Sequence, residues 1–346
     1  MRLGLLLRYD GERGGPRMDL VLEAERLGYT SVWAGESYGT DAVTPIAWVL
    51  ARTEKIRAGT GIMQMSARTP TCAAMTAATL QAMSNDRFLL GVGPSGPQVI
   101  EGWHGMPYGK PLTRTKEYIG IVRKVFAREA PLQHRGEHYE IPYAGAGASG
   151  LGKPLKSILH PDRNLQIYTA AITPAGLRIA GEVADGVLPF AMSPERTDLV
   201  TEAVLRGRRA AGKGDTLDGF DIAAFVPVAM GSDVQACRNA IKPRLALYIG
   251  GMGAREKNFY KDYVTRMGYE AAAAKIQDAY LAGRRDEAVA AVPEALVDEI
   301  ALVGPPERIK ERLQVWKERS RDGAIGTMLL GGASIDALRV VAEAVL

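Results

Sequence analysis

The stretch Leu89-Leu90-Gly91-Val92-Gly93-Pro94-Ser95-Gly96-Pro97-Gln98-Val99-Ile100-Glu101-Gly102-Trp103-His104-Gly105 decides the reading of this chain. With Phe88 before it, the run Leu89, Leu90 and Val92 is apolar on both faces, the pattern of a parallel strand covered by helices. It ends in a loop rich in glycine and proline. Glycine lets backbone approach a ligand closely, and proline holds that approach rigid.

Working outward, the same unit recurs, a short apolar strand followed by an amphipathic helix. Leu3–Leu7 precedes a helix that Gly28 stops. Ser31–Ala34 precedes Thr44–Ala51, which has Pro45 in its first turn. Ile56–Met63 precedes Pro70–Met83, and Phe88–Val92 precedes Thr115–Phe126. The rhythm breaks over residues 128–164, read as a hairpin around Arg135-Gly136-Glu137 and a long loop. It resumes with Leu165–Ala170 before Pro174–Val183, and Gly186–Pro189 before Pro194–Ala211. Ile222–Met230 precedes Val234–Leu247. A charged, alanine-rich helical region over 250–303 and a helix Glu307–Arg319 then lead to Thr327–Leu330 and Ile335–Val345.

Strands alternating with helices argue for a parallel sheet. Eight units in 346 residues predict a closed (β/α)8 barrel, one domain over residues 1–346 with insertions at about 128–164 and 250–303. An open Rossmann sheet is disfavoured because no Gly-x-Gly-x-x-Gly turn follows the first strand. A barrel puts its site at the C-terminal strand ends. These are Arg8–Asp10, Gly35–Tyr38, Gly61–Gln64, Gly93–Gln98, Ala170–Pro174, Pro189–Met192, Val226–Met230 and Leu330–Gly332.

The net charge of +4 is small and the charges are interleaved, which speaks against nucleic acid and for a small-molecule substrate. No apolar run is long enough to span a membrane, and the N-terminal one is too short for a signal peptide, so a cytoplasmic protein is expected. The two cysteines, Cys72 and Cys237, fall on separate predicted helices and suggest neither a disulfide framework nor zinc. His134 and His138 sit in the predicted hairpin, where a metal site is not expected. Helical faces rich in Leu and Val late in the chain are compatible with a homodimer.

Four stretches together resemble the luciferase-like monooxygenase superfamily, in particular its F420-dependent oxidoreductase branch. They are Trp33-Ala34-Gly35-Glu36, Gly59-Thr60-Gly61-Ile62 leading to Arg68-Thr69-Pro70, Gly91-Val92-Gly93-Pro94-Ser95-Gly96, and Ala184-Asp185-Gly186-Val187-Leu188-Pro189. The resemblance covers roughly residues 1–195. It implies a TIM barrel, hydride transfer on the deazaflavin coenzyme F420, and a non-prolyl cis peptide at Gly61-Ile62, with Ile62 and Met63 backing the ring. It further implies that Gly93, Pro94, Ser95 and Gly96 face the pyrimidine end or the start of the tail. The tail phosphodiester would meet Ala170, Ala171, Ile172 and Gly176 at a helix start capped by Thr173. The family often has Gly-Pro-Lys there, and this chain has Thr173-Pro174-Ala175 instead, which leaves backbone donors in place of a charged clamp.

A deazaflavin cofactor carries the two-electron step, so the protein must position substrate and handle a proton. Glu36, at the end of the second strand, is the first candidate, against a plain salt bridge. His104 is the second, with Glu101 beside it, against a role in holding the loop. Tyr9, Tyr38 and Trp33 read as pocket wall, and Lys153 and Lys156 as solvated surface. Two alternatives stay open at this stage, an FMN-dependent monooxygenase of the same superfamily and a cofactor-binding barrel without turnover.

Overall fold

Eight parallel strands close on themselves in a computed structural model that describes residues 1–7, 15–161 and 164–346. They are β1 (Arg2–Leu7), β2 (Ser31–Ala34), β3 (Arg57–Thr60), β4 (Phe88–Gly93), β5 (Ile167–Ala170), β6 (Gly186–Leu188), β7 (Asp221–Met230) and β8 (Thr327–Gly331). Neighbours pair in sequence order. The β8–β1 register Thr327↔Arg2 through Gly331↔Leu6 closes the cylinder. The expected (β/α)8 barrel is therefore the observed one. The strand-end window Arg8–Asp10, including Tyr9, lies outside the described residues.

The helices that pack around it are α1 (Met18–Leu27), α2 (Val43–Arg52), α3 (Pro70–Ser84), α4 (Pro111–Ala127), α5 (Pro174–Val183), α6 (Asp198–Ala210), α7 (Pro306–Arg321) and α8 (Ile335–Val345). Their starts follow elementary capping chemistry. Thr69 accepts from the Cys72 N–H with Pro70 in the first turn of α3, and Thr173 accepts from the Gly176 N–H with Pro174 in the first turn of α5. α6 starts four residues later than its apolar pattern suggests. Ser193 Oγ accepts from the Glu195 and Arg196 N–H groups, holding the intervening segment in a turn.

Three apolar clusters divide the work. The largest lies between barrel and helices. A second fills the barrel with Trp33, Leu89, Tyr168, Leu188, Ala223 and Leu329, and is topped by the partly buried Leu6, Ile62, Ala170 and Phe225. Trp33, read from sequence as pocket wall, is instead interior filling, 1 % exposed, with its Nε1–H donated to Ser31 Oγ at 2.9 Å. At the opposite end of the barrel Asp221 accepts from the Tyr168 hydroxyl at 3.0 Å and the Thr327 hydroxyl at 2.8 Å.

The third cluster belongs to the helical region between β7 and β8. This region contains two π-helical stretches, Leu247–Gly251 and Thr265–Tyr269, and its underside packs on Ile172 beyond β5 and Phe190 beyond β6. It thus roofs part of the C-terminal mouth. Between α4 and β5 the hairpin pairs His134–Arg135 with Glu140–Ile141. His134 meets Glu117 at 3.3 Å and His138 meets Arg114 at 3.5 Å, so both have partners that the sequence did not reveal.

The approach to β3 is fixed by Glu25, whose carboxylate accepts from the N–H groups of Glu54, Lys55 and Ile56 at 2.7–2.9 Å. Partial burial pushes its pKa up, but these donors outweigh that and hold it below its ordinary value of 4.5. A carboxylate with a lowered folded-state pKa stabilises the fold above its unfolded pKa, and the contribution fades as pH falls through the folded value. Thermal melts of wild type and Glu25→Gln should therefore differ clearly at pH 7, and the difference should start to shrink as pH falls through about 4.3 and go on shrinking below it. A constant gap down to pH 3 would contradict this.

Candidate functional site

The mouth of the barrel is built where β3, β4 and β5 end. After Thr60 the chain turns through a cis Gly61–Ile62 peptide. Met63–Gln64 then resumes pairing, Met63↔Val92 and Gln64↔Gly93. The detour turns the Ile62 side chain toward the barrel interior, whereas Met63, fully buried, packs among the residues between barrel and helices. Of the two residues expected to back a ring, Met63 therefore offers the mouth only its backbone. A Cβ built on Gly93 would lie 3.0 Å from Ile62 Cγ1 and 3.5 Å from Ala170 Cβ, so three of the predicted positions, at the ends of three different strands, meet at one place.

The loop after β4 is tied down rather than free. Ser95 has φ +57°, uncommon for a residue with a side chain. The Tyr108 hydroxyl donates to the Ser95 carbonyl at 3.3 Å, and Glu101 accepts from the Tyr108 N–H at 3.3 Å. Burial pushes the Tyr108 phenol pKa up, which keeps it a donor. Pro94, Ser95 and Gly96 are half-buried at the rim, followed by a short helix, Pro97–Gly102, where the sequence suggested only loop.

On the β2 side, the Glu36 carboxylate accepts from each of its partners among the described residues. Arg68 Nη1 lies 2.9 Å from Oε1, the Gln64 N–H donates to Oε2 at 2.8 Å, and the Ala42 N–H reaches Oε1 at 3.4 Å. Its side chain is 7 % exposed and that of Arg68 20 %. The Tyr118 hydroxyl donates to the Arg68 carbonyl at 3.2 Å. These contacts tie the end of β2 to the segment that follows β3.

Gln64, fully buried, passes that order on. Its Nε2 donates to the carbonyls of Glu36 at 3.2 Å and Ser37 at 3.0 Å, which leaves Oε1 facing His104 Nε2 at 2.5 Å. Because an amide oxygen only accepts, the network assigns the imidazole hydrogen to Nε2. His104 is thus held in one tautomer at the rim, half-buried.

At the β5 side, Ala170, Ala171 and Ile172 run from the strand end toward α5, all half-buried. The Gly176 N–H, expected to meet a phosphate, already donates to Thr173 Oγ1 at 3.1 Å. A cation reaches this loop from elsewhere. Arg266, on the second π-helical stretch of the roof, donates from Nη2 to the Ile172 carbonyl at 2.7 Å. Sequence reading missed Arg266, and it gave no role to Gln64 or Arg68 although both fell within the stretches it singled out. Their partner Glu36 stands 28 and 32 residues away, with no periodicity to link them.

Residues 2–323 match the family model described as luciferase-like monooxygenase. A protein of Mycobacterium tuberculosis, named as a candidate coenzyme F420-dependent oxidoreductase, is 43 % identical over 319 residues, 92 % of each chain. A 5,10-methylenetetrahydromethanopterin reductase of Archaeoglobus fulgidus is 26 % identical, over 90 % of this chain and 87 % of its own length. Among solved structures, the coenzyme F420-dependent tetrahydromethanopterin reductase of Methanopyrus kandleri superposes with a TM-score of 0.77 at 20 % identity, over 99 % of this chain and 98 % of that one. At that identity the likeness shows the shared fold. Together with the full-length relative, the barrel and the matched segment establish that the chain belongs to the luciferase-like monooxygenase family.

Proposed function

We propose that this protein is a coenzyme F420-dependent oxidoreductase acting on a small organic substrate, with the whole chain working as one unit. The observation that carries the reading is the meeting of Ile62, Gly93 and Ala170 over an interior topped by Leu6 and Phe225, an apolar floor suited to a flat ring system. The 43 % identical relative supports F420 as the cofactor. When bound, F420 would supply two-electron hydride transfer at one carbon.

The chain's own residues do the rest. Ile62 and Ala170 would support the ring, and the Pro94–Gly96 backbone would border it. The start of α5, with Ala171, Ile172 and the nearby Arg266 guanidinium, offers a positive environment for the tail phosphodiester. With its Nε2–H donated to Gln64, His104 is left with Nδ1, which carries no hydrogen in that tautomer, as the ring atom to take up and return a proton at the rim. Glu36 acts through Gln64 and Arg68 as a positioning residue. Oxygen uptake tests the reading against FMN chemistry. Protein loaded with reduced F420 should consume no oxygen above background, and rapid uptake with reduced FMN, with F420 ignored, would overturn it.

We also propose a homodimer, but not through the late helices. Leu313, Leu338 and Val341 are fully buried within the chain itself. An exposed apolar face on regular helices belongs to the neighbouring α2 and α3, with Trp48 52 %, Met75 63 % and Met83 75 % exposed. No charged residue interrupts α3 from Pro70 to Ser84. A two-fold contact would bury such a face on both copies at once. Met75→Asp should convert a dimer to a monomer in sedimentation or light scattering, and a wild-type monomer at micromolar concentration would contradict the proposal.

A further inference from the structure

Three large apolar side chains gather at the rim of the mouth and take no part in the core. Trp103 is 66 %, Tyr38 59 % and Met106 47 % exposed. None belongs to the three apolar clusters that hold the barrel and its roof together. The Trp103 and Tyr38 rings make no ring or cation contact among the described residues, and both stand mostly in solvent. A single exposed apolar residue is ordinary on a protein surface, whereas several together mark a place where something binds.

Two observations join these side chains to the proposed active site. The first is position. The Gln64 amide donates to the Ser37 carbonyl at 3.0 Å and accepts from His104 Nε2 at 2.5 Å, so the segments that carry Tyr38 and Trp103 meet at one amide group, beside the imidazole. Met106 follows on the same loop, past a turn at Gly105 with φ +63°, and its N–H donates to the Ile100 carbonyl at 3.1 Å. The second is charge. Ser37-Tyr38-Gly39-Thr40 and Gly102-Trp103-His104-Gly105-Met106-Pro107 contain no Asp, Glu, Lys or Arg. In the second stretch every residue except His104 is exposed. A molecule whose reacting atom comes to His104 must cross these neighbours, where a charged group would find no counter-charge and an apolar one would leave water.

We propose that Trp103, Tyr38 and Met106 receive the body of the substrate and set its specificity, and that the substrate is an uncharged, predominantly apolar molecule. The inference rests on the proposed active site for its location but not on the identity of the cofactor.

The alkan-2-ones 2-butanone, 2-hexanone and 2-octanone carry one polar group of fixed size on an apolar chain of increasing length. Their dissociation constants are measured by ligand-observed NMR on the full-length protein, with and without F420, while F420 binding is followed separately by its fluorescence. The wild type should bind about twofold tighter per added methylene, as for a chain buried on one side, and so about fifteenfold tighter from the shortest ketone to the longest. In the Tyr38→Ser/Trp103→Ser double variant that gain should fall to about threefold or less, and Trp103→Phe should keep most of it. Both variants should melt with wild type, since the rings lie mostly in solvent. No ketone bound by wild type, no dependence on chain length, or the full dependence in the double variant would overturn the inference. So would a change from dimer to monomer in the double variant, because the patch would then be a contact between subunits. Chain-length dependence in protein that does not bind F420 would sink the cofactor reading and leave the apolar rim standing. F420 binding without that dependence would do the reverse.

Discussion

Gly91→Ala should destabilise the protein by about 3 kcal/mol or more, an overpacking cost at the upper end of what one methyl imposes. A Cβ there would lie 1.9 Å from the Thr60 carbonyl oxygen, which is backbone and cannot swing aside. The same two residues are clasped on both sides. Thr60 Oγ1 donates to the Gly91 carbonyl at 2.7 Å and accepts from the Gly91 N–H at 3.0 Å. Relief of the clash therefore requires β3 and β4 to separate just below Gly61–Ile62, and ligand binding at the mouth should weaken along with the fold. A melting temperature lower by about 5–10 °C is expected, at a few degrees per kcal/mol for a domain of this size. Gly120→Ala is the control. Gly120 lies inside α4 with nothing within 4 Å of a new Cβ, so removing helix-interior glycine should stabilise by about 0.5–1 kcal/mol. Equal stability of Gly91→Ala and wild type would contradict the packing described for the strand ends.

Breaking the Glu36–Arg68 pair should have the second large effect. Arg68→Met leaves a nearly buried carboxylate without its guanidinium, and losing one partner of such a pair costs about 3–5 kcal/mol. Part of that is recovered here because the Gln64 N–H still donates to Glu36. Glu36→Gln alone should cost less, and the double variant should lose clearly less than the sum, with a coupling of about 1–3 kcal/mol. Function divides the two roles open to Glu36. If it positions, the two single variants weaken F420 binding by similar factors, because both disturb the carboxylate that anchors the Gln64 backbone N–H, and through that segment the placing of His104. If it is the proton donor, Glu36→Gln loses about 10²–10⁴ in turnover while Arg68→Met keeps most of it. Strict additivity in the cycle would show that the pair does not act as a unit.

How much of this was legible in sequence follows from how far apart the interacting residues lie. The barrel strands announce themselves because a strand buried on both faces reads as a continuous apolar run, and α5 was placed from Pro174 to Val183 by a capping threonine and a following proline, all local signals. The strand-end rule then located Glu36, Ile62, Gly93 and Ala170, and Phe190 fell within one of its windows. What failed to show was every partnership across the mouth. Arg266 stands 94 residues from the Ile172 carbonyl it binds, and no spacing rule connects them. The π-helical stretch at Leu247–Gly251 likewise depends on tertiary packing, since Gly250 and Gly251 lie so close to Tyr280 that a Cβ on either would come to 2.4 Å from its side chain. The short helix Pro97–Gly102 was hidden for the opposite reason, because glycine and proline read locally as a turn even where Pro97 opens a helix.

The central claim is that the floor of Ile62, Gly93 and Ala170, with a positive helix start beside it, holds a three-ring deazaflavin by its face and its anionic tail. Equilibrium titration of the purified protein with F420 and FMN, side by side at one ionic strength, tests it most directly. The account predicts saturable F420 binding, with FMN weaker by at least about tenfold, a difference of ~1.4 kcal/mol. Tight FMN binding by a protein that leaves F420 free in solution would contradict it.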